Sequence, residues 1–427
     1  MSARDPGASH GAAPPRTLLV WLSLGLLVAV PAAAEQRSLS MEEAVQLALQ
    51  RNPDVRSEEA EVQAARARLS GASLLLQSNP EVDVAAGPRR RDGNSSIDYT
   101  VQLSQRIEVS GQRGARVEAA SGALGAAEAR LGTRRAEVAA EVREAFGQAL
   151  AAAQLVTLAE DAVRLAEQTL ETARRRLEAG DASRIELNAA QVEVGRARRE
   201  VRRTIQNRAV ALGELQRLLA LDAETTLDLR GELATSAPDK GVDVEALVRT
   251  ALQQHPGVRM ARQEAEASRA EARLASREAL PAPRLGASYS REEDAHILQA
   301  TLGVELPLFN RNQAARGVSA ARVTQAEAAL EAAGRRVERE ARLAAARLAA
   351  AQAAVGDFAG GVLPAAQENL ELLQAAYTAG KVDILQLLLI RRDTLETRRG
   401  YVEALADLNS AQAQLAQAIG SEQEVPR

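Results

Sequence analysis

The sequence predicts a mainly α-helical protein with a small β part, built as two tandem repeats of long coiled-coil helices, each carrying one β-hairpin. Three observations predict it. The 427 residues are 46% hydrophobic but only 2% aromatic, so Ala and Leu must fill the interior, as they do in long helices packed through small residues. Proline is absent from Arg89 to Ala237, and only Pro364 falls between Leu308 and Val425, which leaves two stretches free to run as unbroken helices. Finally, the chain repeats itself: Leu47 to Arg56 recurs as Thr250 to Arg259 at an offset of 203 residues, and Ala179 to Leu187 as Ala379 to Leu387 at an offset of 200.

From the N-terminus, Arg4 and Arg16 precede an uncharged run, Thr17 to Val30, and a small-residue stretch ending at Ala34. This order of charge, apolar run and small residues reads as a secretory signal over 1–34. The first repeat then occupies 35–240, the second 241–420, and 421–427 is a tail. Ser40 and Glu43 fit a capping box, Asn52 places a cap before Pro53, and Asp243 opens the equivalent helix of the second repeat.

Each repeat next carries a hairpin, about 80–108 and about 283–306. In the first, Val82, Val84 and Ala86 alternate with Glu81 and Asp83, and Tyr99, Val101, Leu103 and Ile107 alternate with Thr100, Gln102, Ser104 and Arg106. In the second, Leu285, Ala287 and Tyr289 alternate with polar neighbours, as do Leu298, Ala300, Leu302, Val304 and Leu306. Polar loops are expected at Arg89 to Ile97 and Arg291 to His296. Segments of about ten residues after a secretory signal fit strands crossing an outer membrane at a tilt of about 45°. Four strands cannot close a barrel, and open edges are not tolerated in lipid, so several copies must contribute; two give eight strands and three give twelve.

A long helix pair follows each hairpin, about 111–219 and about 311–419. The first seam runs from Leu124 to Leu177 and the second from Val323 to Val362, in steps of three and four. Each seam has one 4-4 step, at Arg134, Val138 and Val142 and at Ala333, Val337 and Ala341, offset by 199 residues. A long helix of about 68 residues extends about 100 Å at 1.5 Å per residue. Gly180 and Gly380 stand where a helix C-terminus needs positive φ, so each long helix turns into a return helix. The first return helix offers Val194, Ala197, Val201, Ile205, Leu212, Leu215 and Leu219 as its seam.

The same inventory excludes several functions. With no Cys, there is no disulfide, thiol nucleophile or thiolate metal site. Beyond the signal only His255, His296, Met41 and Met260 could serve as soft metal ligands, which builds no high-affinity site. No nucleophile–base–orienter constellation or cofactor motif occurs, so neither an enzyme nor a cofactor is expected. A formal charge of −4 gives no reason to expect nucleic acid. Two classes of function remain, a passive export duct and a secreted coiled-coil structural protein.

The two-repeat plan, the stretch Leu103 to Gly114 after the first hairpin and the stretch Leu306 to Gln313 (Leu-Pro-Leu-Phe-Asn-Arg-Asn-Gln) after the second resemble TolC-type outer-membrane efflux proteins. The resemblance covers about residues 39 to 420, and the second stretch is most similar to the cation (heavy-metal) efflux branch. It implies a homotrimer with one twelve-stranded barrel in the outer-membrane lipid of a Gram-negative bacterium and a periplasmic α-helical tunnel. Its implied partners are a periplasmic adaptor (membrane fusion) protein and an inner-membrane pump of the resistance-nodulation-division type, with metal cations as cargo. Drug efflux and type I secretion are the alternatives within this fold. Matching the turn glycines places the family's acidic gate positions on Glu186 in the first repeat and on Gln386 and Leu389 in the second, where the carboxylates are missing. Asp181, Arg184 and Asp383 lie beside them as further candidate gate residues, and Gly180, Gly380 and Lys381 are the candidate adaptor-docking tips.

Overall fold

The computed structural model describes residues 36–91, 93–222, 224–235, 243–293 and 295–420. The expected signal over 1–34 and the tail over 421–427 lie outside the described residues. The first repeat runs β1 (Gln36–Leu39), α1 (Met41–Arg51), α2 (Pro53–Ala72), β2 (Glu81–Arg91), β3 (Asn94–Arg106), α3 (Gln112–Glu178), α4 (Arg184–Leu218) and β4 (Thr226–Leu229). The second runs α5 (Val244–Gln254), α6 (Pro256–Glu278), β5 (Arg284–Glu292), β6 (Ala295–Gly303), α7 (Gln313–Asp357), a π-helical turn (Phe358–Val362), α8 (Leu363–Thr378) and α9 (Ile384–Ile419).

The short helices stack end to end because their junction residues cap both ways. Ser40 and Glu43 form the expected capping box. Asn52 stops α1 and starts α2: its Oδ1 accepts from Asp54 N at 2.9 Å while its Nδ2 donates to Leu218 O at 3.2 Å. His255 does this work between α5 and α6, its Nδ1 accepting from Gly257 N at 3.0 Å. Asp243 caps α5 as expected, accepting from Ala246 N at 3.1 Å. These helices pack on the long ones, α6 lying between α3 and α7 and α2 against α3.

Two apolar clusters hold this middle level. In the first repeat Val45, Val55, Val138, Val142, Phe146, Leu215 and Leu219 pack together with Leu39 and Leu227. The last two lie on β1 and β4, a parallel pair that sequence reading did not anticipate. In the second repeat Val248, Val258, Val337, Ala341, Leu348, Leu405 and Leu415 form the counterpart. The equivalence of Val138 with Val337 agrees with the offset of the two 4-4 steps. Two seam positions depart from expectation. Ile205 is exposed, Thr204 being the buried residue there, and Val362 is exposed too.

The Val362 departure has a local cause. The second long helix is not continuous, because Pro364 removes an N–H and crowds the carbonyl four residues back. Gly360 and Gly361 allow the chain to widen there into a π turn. Phe358 leaves that turn onto Gly400 of α9, where an added Cβ would come within 3.0 Å of its ring, and edge-on to Tyr401 with centroids 6.3 Å apart. The copies are offset by 199 residues at Val138 and Val337 but by 200 at Gly180 and Gly380. A π turn takes up one extra residue, so the two helices meet their tips in step.

Both hairpins join one antiparallel sheet of order β2-β3-β5-β6. The strands outrun their expected bounds, passing through the supposed loops to Arg91 and Glu292; β6 ends at Gly303, short of Val304 and Leu306. The register sorts the sheet into two faces, since side chains alternate along each strand. One face carries the rows Val82–Leu103–Ala287–Ala300 and Val84–Val101–Tyr289–Leu298, flanked by Pro88–Ile97 and Leu285–Leu302. The other carries Glu81–Ser104–Gly286–Thr301 and Asp83–Gln102–Ser288–Gln299. No described element covers the apolar face: Leu298 is 79% exposed, and Val84, Ile97 and Leu302 are exposed with it. The edges β2 and β6 are likewise bare. Between Gln313 and Thr378 many alanines are exposed and form a small-residue face.

Candidate functional site

The helix ends far from the sheet gather the candidate residues. Gly180 and Gly380 adopt φ of 83° and 72°, a conformation cheap only for glycine. The next N–H groups close the turns, Asp181 N donating to Arg176 O at 2.8 Å and Lys381 N to Ala376 O at 2.9 Å. The return helices then start on side-chain caps. Ser183 Oγ accepts from Glu186 N, and Glu186 Oε1 accepts from Ser183 N, both at 3.2 Å. Asp383 accepts from Leu385 N at 3.4 Å. Glu186 and Asp383 thus also hold the first turns of α4 and α9, near the positive ends of the helix dipoles.

Arg176 ties one tip to the other. Its Nη1 donates to Tyr377 O at 3.3 Å and its Nη2 to Asp181 O at 3.1 Å, with the guanidinium 4.8 Å from the Tyr377 ring centroid. Tyr377 is 2% exposed and packs with Ala173, Ala190, Leu370, Ile384 and Leu387. Burial pushes its hydroxyl pKa up, Arg176 opposes the shift, and Glu186 and Asp383 add to it. The Tyr377 hydroxyl and Glu186 Oε2 are both buried without a hydrogen-bond partner among the described residues.

Further from the tip, Arg391 is 1% exposed. Its Nη2 donates to Thr169 Oγ1 at 2.7 Å, joining α9 to α3, while Nε and Nη1 find no acceptor among the described residues. Burial lowers its pKa, with Glu193 pulling the other way; a guanidinium nevertheless stays charged.

Asp181, Arg184, Lys381, Asp383 and Gln386 are exposed, and Glu186 is half-buried. The structure brings these residues to one end of the molecule, although no hydrogen bond or ion pair links their side chains to one another among the described residues. Leu385 and Leu389 are exposed beside Gln386, so that turn of α9 presents apolar side chains. Sequence reasoning missed Arg176, Tyr377, Thr169 and Arg391. One signal was available: Tyr377 is one of four tyrosines in the chain and stands three residues before a turn glycine.

The family model described as "Outer membrane efflux protein" matches residues 44–221 and 247–421, one match in each repeat. No curated protein matches the chain. Among solved structures, the outer membrane protein VceC of Vibrio cholerae is 18% identical, covering 89% of this chain and 96% of its own, with a TM-score of 0.73. CusC is 20% identical over 89% of this chain and 92% of its own, TM-score 0.73. The open-state MtrE outer membrane channel of Neisseria gonorrhoeae is 18% identical over 89% and 88%, TM-score 0.72. With both repeats matched and the long helices, short stacked pairs and shared sheet in place, the chain belongs to the outer membrane efflux proteins, the TolC-type family, and resides in the outer membrane of a Gram-negative bacterium with a large periplasmic helical part.

Proposed function

We propose that three copies of this chain close into one twelve-stranded barrel and one twelve-helix tunnel, forming a passive exit duct. Cargo enters from an inner-membrane pump of the resistance-nodulation-division type through a periplasmic adaptor. The observation that carries this reading is the two-faced sheet with two bare edges. A four-stranded sheet apolar on one side and polar on the other is one third of a barrel whose lumen is wet and whose outside meets lipid. At a strand spacing of about 4.8 Å and a tilt of about 40°, twelve strands enclose a backbone diameter of roughly 24 Å. The outward positions from Ile97 on β3 to Ile107, which follows β3 and donates its N–H to Pro283 O at 2.9 Å, span about 26 Å of membrane normal at that tilt, close to the apolar band of about 25 Å such barrels show. The exposed alanine face of Gln313–Thr378 suits close helix packing between copies.

In this duct the tips form the periplasmic gate, with Asp181, Arg184, Glu186, Asp383 and Gln386 at its polar rim and Arg176, Tyr377 and Arg391 joining its halves. Gly180, Gly380 and Lys381 are the surface offered to the adaptor. Metal cations are the cargo we favour, on the resemblance of Leu306 to Gln313 to the cation-efflux branch. The test is growth of a deletion strain, with and without plasmid complementation, across graded zinc, cobalt, cadmium, copper and silver beside dyes, detergents and antibiotics. Complemented hypersensitivity confined to metals is the expected result; sensitivity to organic compounds alone moves the duct to drug export.

A further inference from the structure

The sheet register sorts charge as well as polarity at the hairpin-turn end. Arg90 follows Pro88 on the apolar face of β2, and Arg291 shares a row of that face with Ala86, Tyr99 and His296. Arg90, Arg291 and His296 are exposed. No hydrogen bond or ion pair occupies either arginine among the described residues.

The carboxylates described at this end are committed to the opposite face. Arg89 Nε bonds Asp98 Oδ2 at 2.5 Å, Arg89 Nη2 bonds Glu292 Oε2 at 3.1 Å, and Glu293 lies 3.9 Å from Arg89 Nη1. Glu293 N also donates to Asp98 Oδ1 at 3.1 Å. Among the described residues, the loop-end rim of the apolar face therefore carries positive charge alone. In a closed barrel β6 would lie beside β2, and β6 (Ala295–Gly303) contains no carboxylate to neutralise Arg90.

Tyr99 stands in the row of Arg291 and His296 and Tyr289 one row below it, with ring centroids 6.1 Å apart. The Tyr289 hydroxyl is 2.6 Å from His296 Nδ1, which fixes the imidazole at the edge of the apolar face. Tyrosine on a lipid-facing surface settles at headgroup level, where its apolar ring and polar tip are both satisfied. Basic residues beside it and just beyond it reach the lipid phosphates.

We propose that Arg90, Arg291 and His296 form an outward binding surface for the phosphate groups of outer-leaflet lipid headgroups. This rests on the barrel reading above. A basic residue at an anionic membrane surface strengthens association by roughly 5-fold, equivalent to about 1 kcal/mol, so the arginine pair contributes about 25-fold per copy.

The test uses the full-length protein inserted into phosphatidylcholine vesicles containing either bisphosphorylated lipid A or the same lipid stripped of phosphate. Lipid retained on the detergent-extracted protein is counted by native mass spectrometry. The wild type should prefer the phosphorylated lipid, and R90Q/R291Q should lose about 25-fold of that preference, while R90K/R291K keeps most of it and R284Q, on the polar face, keeps all of it. Equal retention of both lipids by the wild type, or an unchanged preference in R90Q/R291Q, overturns the proposal. So does displacement of the lipid by millimolar inorganic phosphate, which would make this a site for the free ion. Failure of the wild type to insert into any vesicle refutes the barrel, and the lipid surface with it.

Discussion

In the proposed duct, Arg176→Ala should leave the gate open. Among the described residues Arg176 is the one side chain that bonds both tips at once, through Tyr377 O, Asp181 O and the face of the Tyr377 ring. A charged hydrogen bond contributes about 1.5–3 kcal/mol and a partly exposed cation–π contact about 0.5–1. The bond between the tips is long and half-exposed, so about 1 kcal/mol per copy is a fair net figure. If three tips open together the sum is about 3 kcal/mol, a shift of roughly 150-fold in the open-to-closed ratio. Single-channel recording in planar bilayers reads this directly, and cells carrying the variant should admit a bulky antibiotic that an intact outer membrane excludes. Arg176→Lys keeps the charge but loses the fork that reaches two carbonyls, so it should fall between wild type and alanine. The side chain of the adjacent Arg175 is 70% exposed and its one ion pair among the described residues is with Glu171, at 3.6 Å; Arg175→Ala should change nothing. An Arg176→Ala channel as quiet as wild type, or an Arg175→Ala channel equally open, refutes the reasoning.

Three further outcomes follow from the same geometry. Thr169→Val removes the one acceptor of a buried guanidinium and should cost about 2 kcal/mol, whereas Arg391→Met should be neutral or stabilising because the desolvated charge goes with it; thermal melting of the detergent-solubilised protein decides, and the opposite order would be contrary evidence. Glu186→Gln should preserve the capping box and the closed state, while Glu186→Ala loses about 1 kcal/mol of helix start; if Gln opens the channel as Ala does, its charge matters rather than its cap. Burial holds the His255 pKa below its ordinary 6.5, against the pull of Glu340 and Glu137. Its contribution to stability is therefore complete above about pH 6.5 and is lost as pH falls from there through the depressed folded-state pKa. Denaturant titration against pH should show this acid slope, and His255→Asn, which copies the junction at Asn52, should abolish it.

What could be read from the residues was largely what a few neighbours decide among themselves. The caps at Ser40, Asn52 and Asp243 and the turns at Gly180 and Gly380 are local devices, each complete within a few residues. Alternation revealed the strands but not their ends, because Arg89 and Arg90 carry charge on both faces once β2 rises past the apolar rows. The pairing of β1 with β4 joins segments 190 residues apart (Ser38 and Asp228), and no pattern within either strand announces it. The heptad seam continued smoothly through Phe358 and Val362, so the π turn was invisible until Pro364 and the double glycine were seen to act together. At the tip, sequence matching named Asp181, Arg184, Glu186, Asp383 and Gln386, which the structure gathers at one end. It missed the Arg176–Tyr377 and Arg391–Thr169 ties because helical period tells which face is buried, not which copy lies against it.

The π turn at Phe358–Val362 also records how the two halves parted. After duplication, a lengthening of one half by a single residue would have rolled every side chain beyond it by about 100° around the helix axis, aiming Tyr377 and Arg391 away from their partners. Bulging one turn confined that error to five residues and left the inherited contacts below it intact. The bulge can be tested by deletion: removing Gly360 should restore a plain α-helix with the tip unmoved, whereas removing Ala173, in the half without a π turn, should twist the tip out of register and break the Arg176–Tyr377 tie.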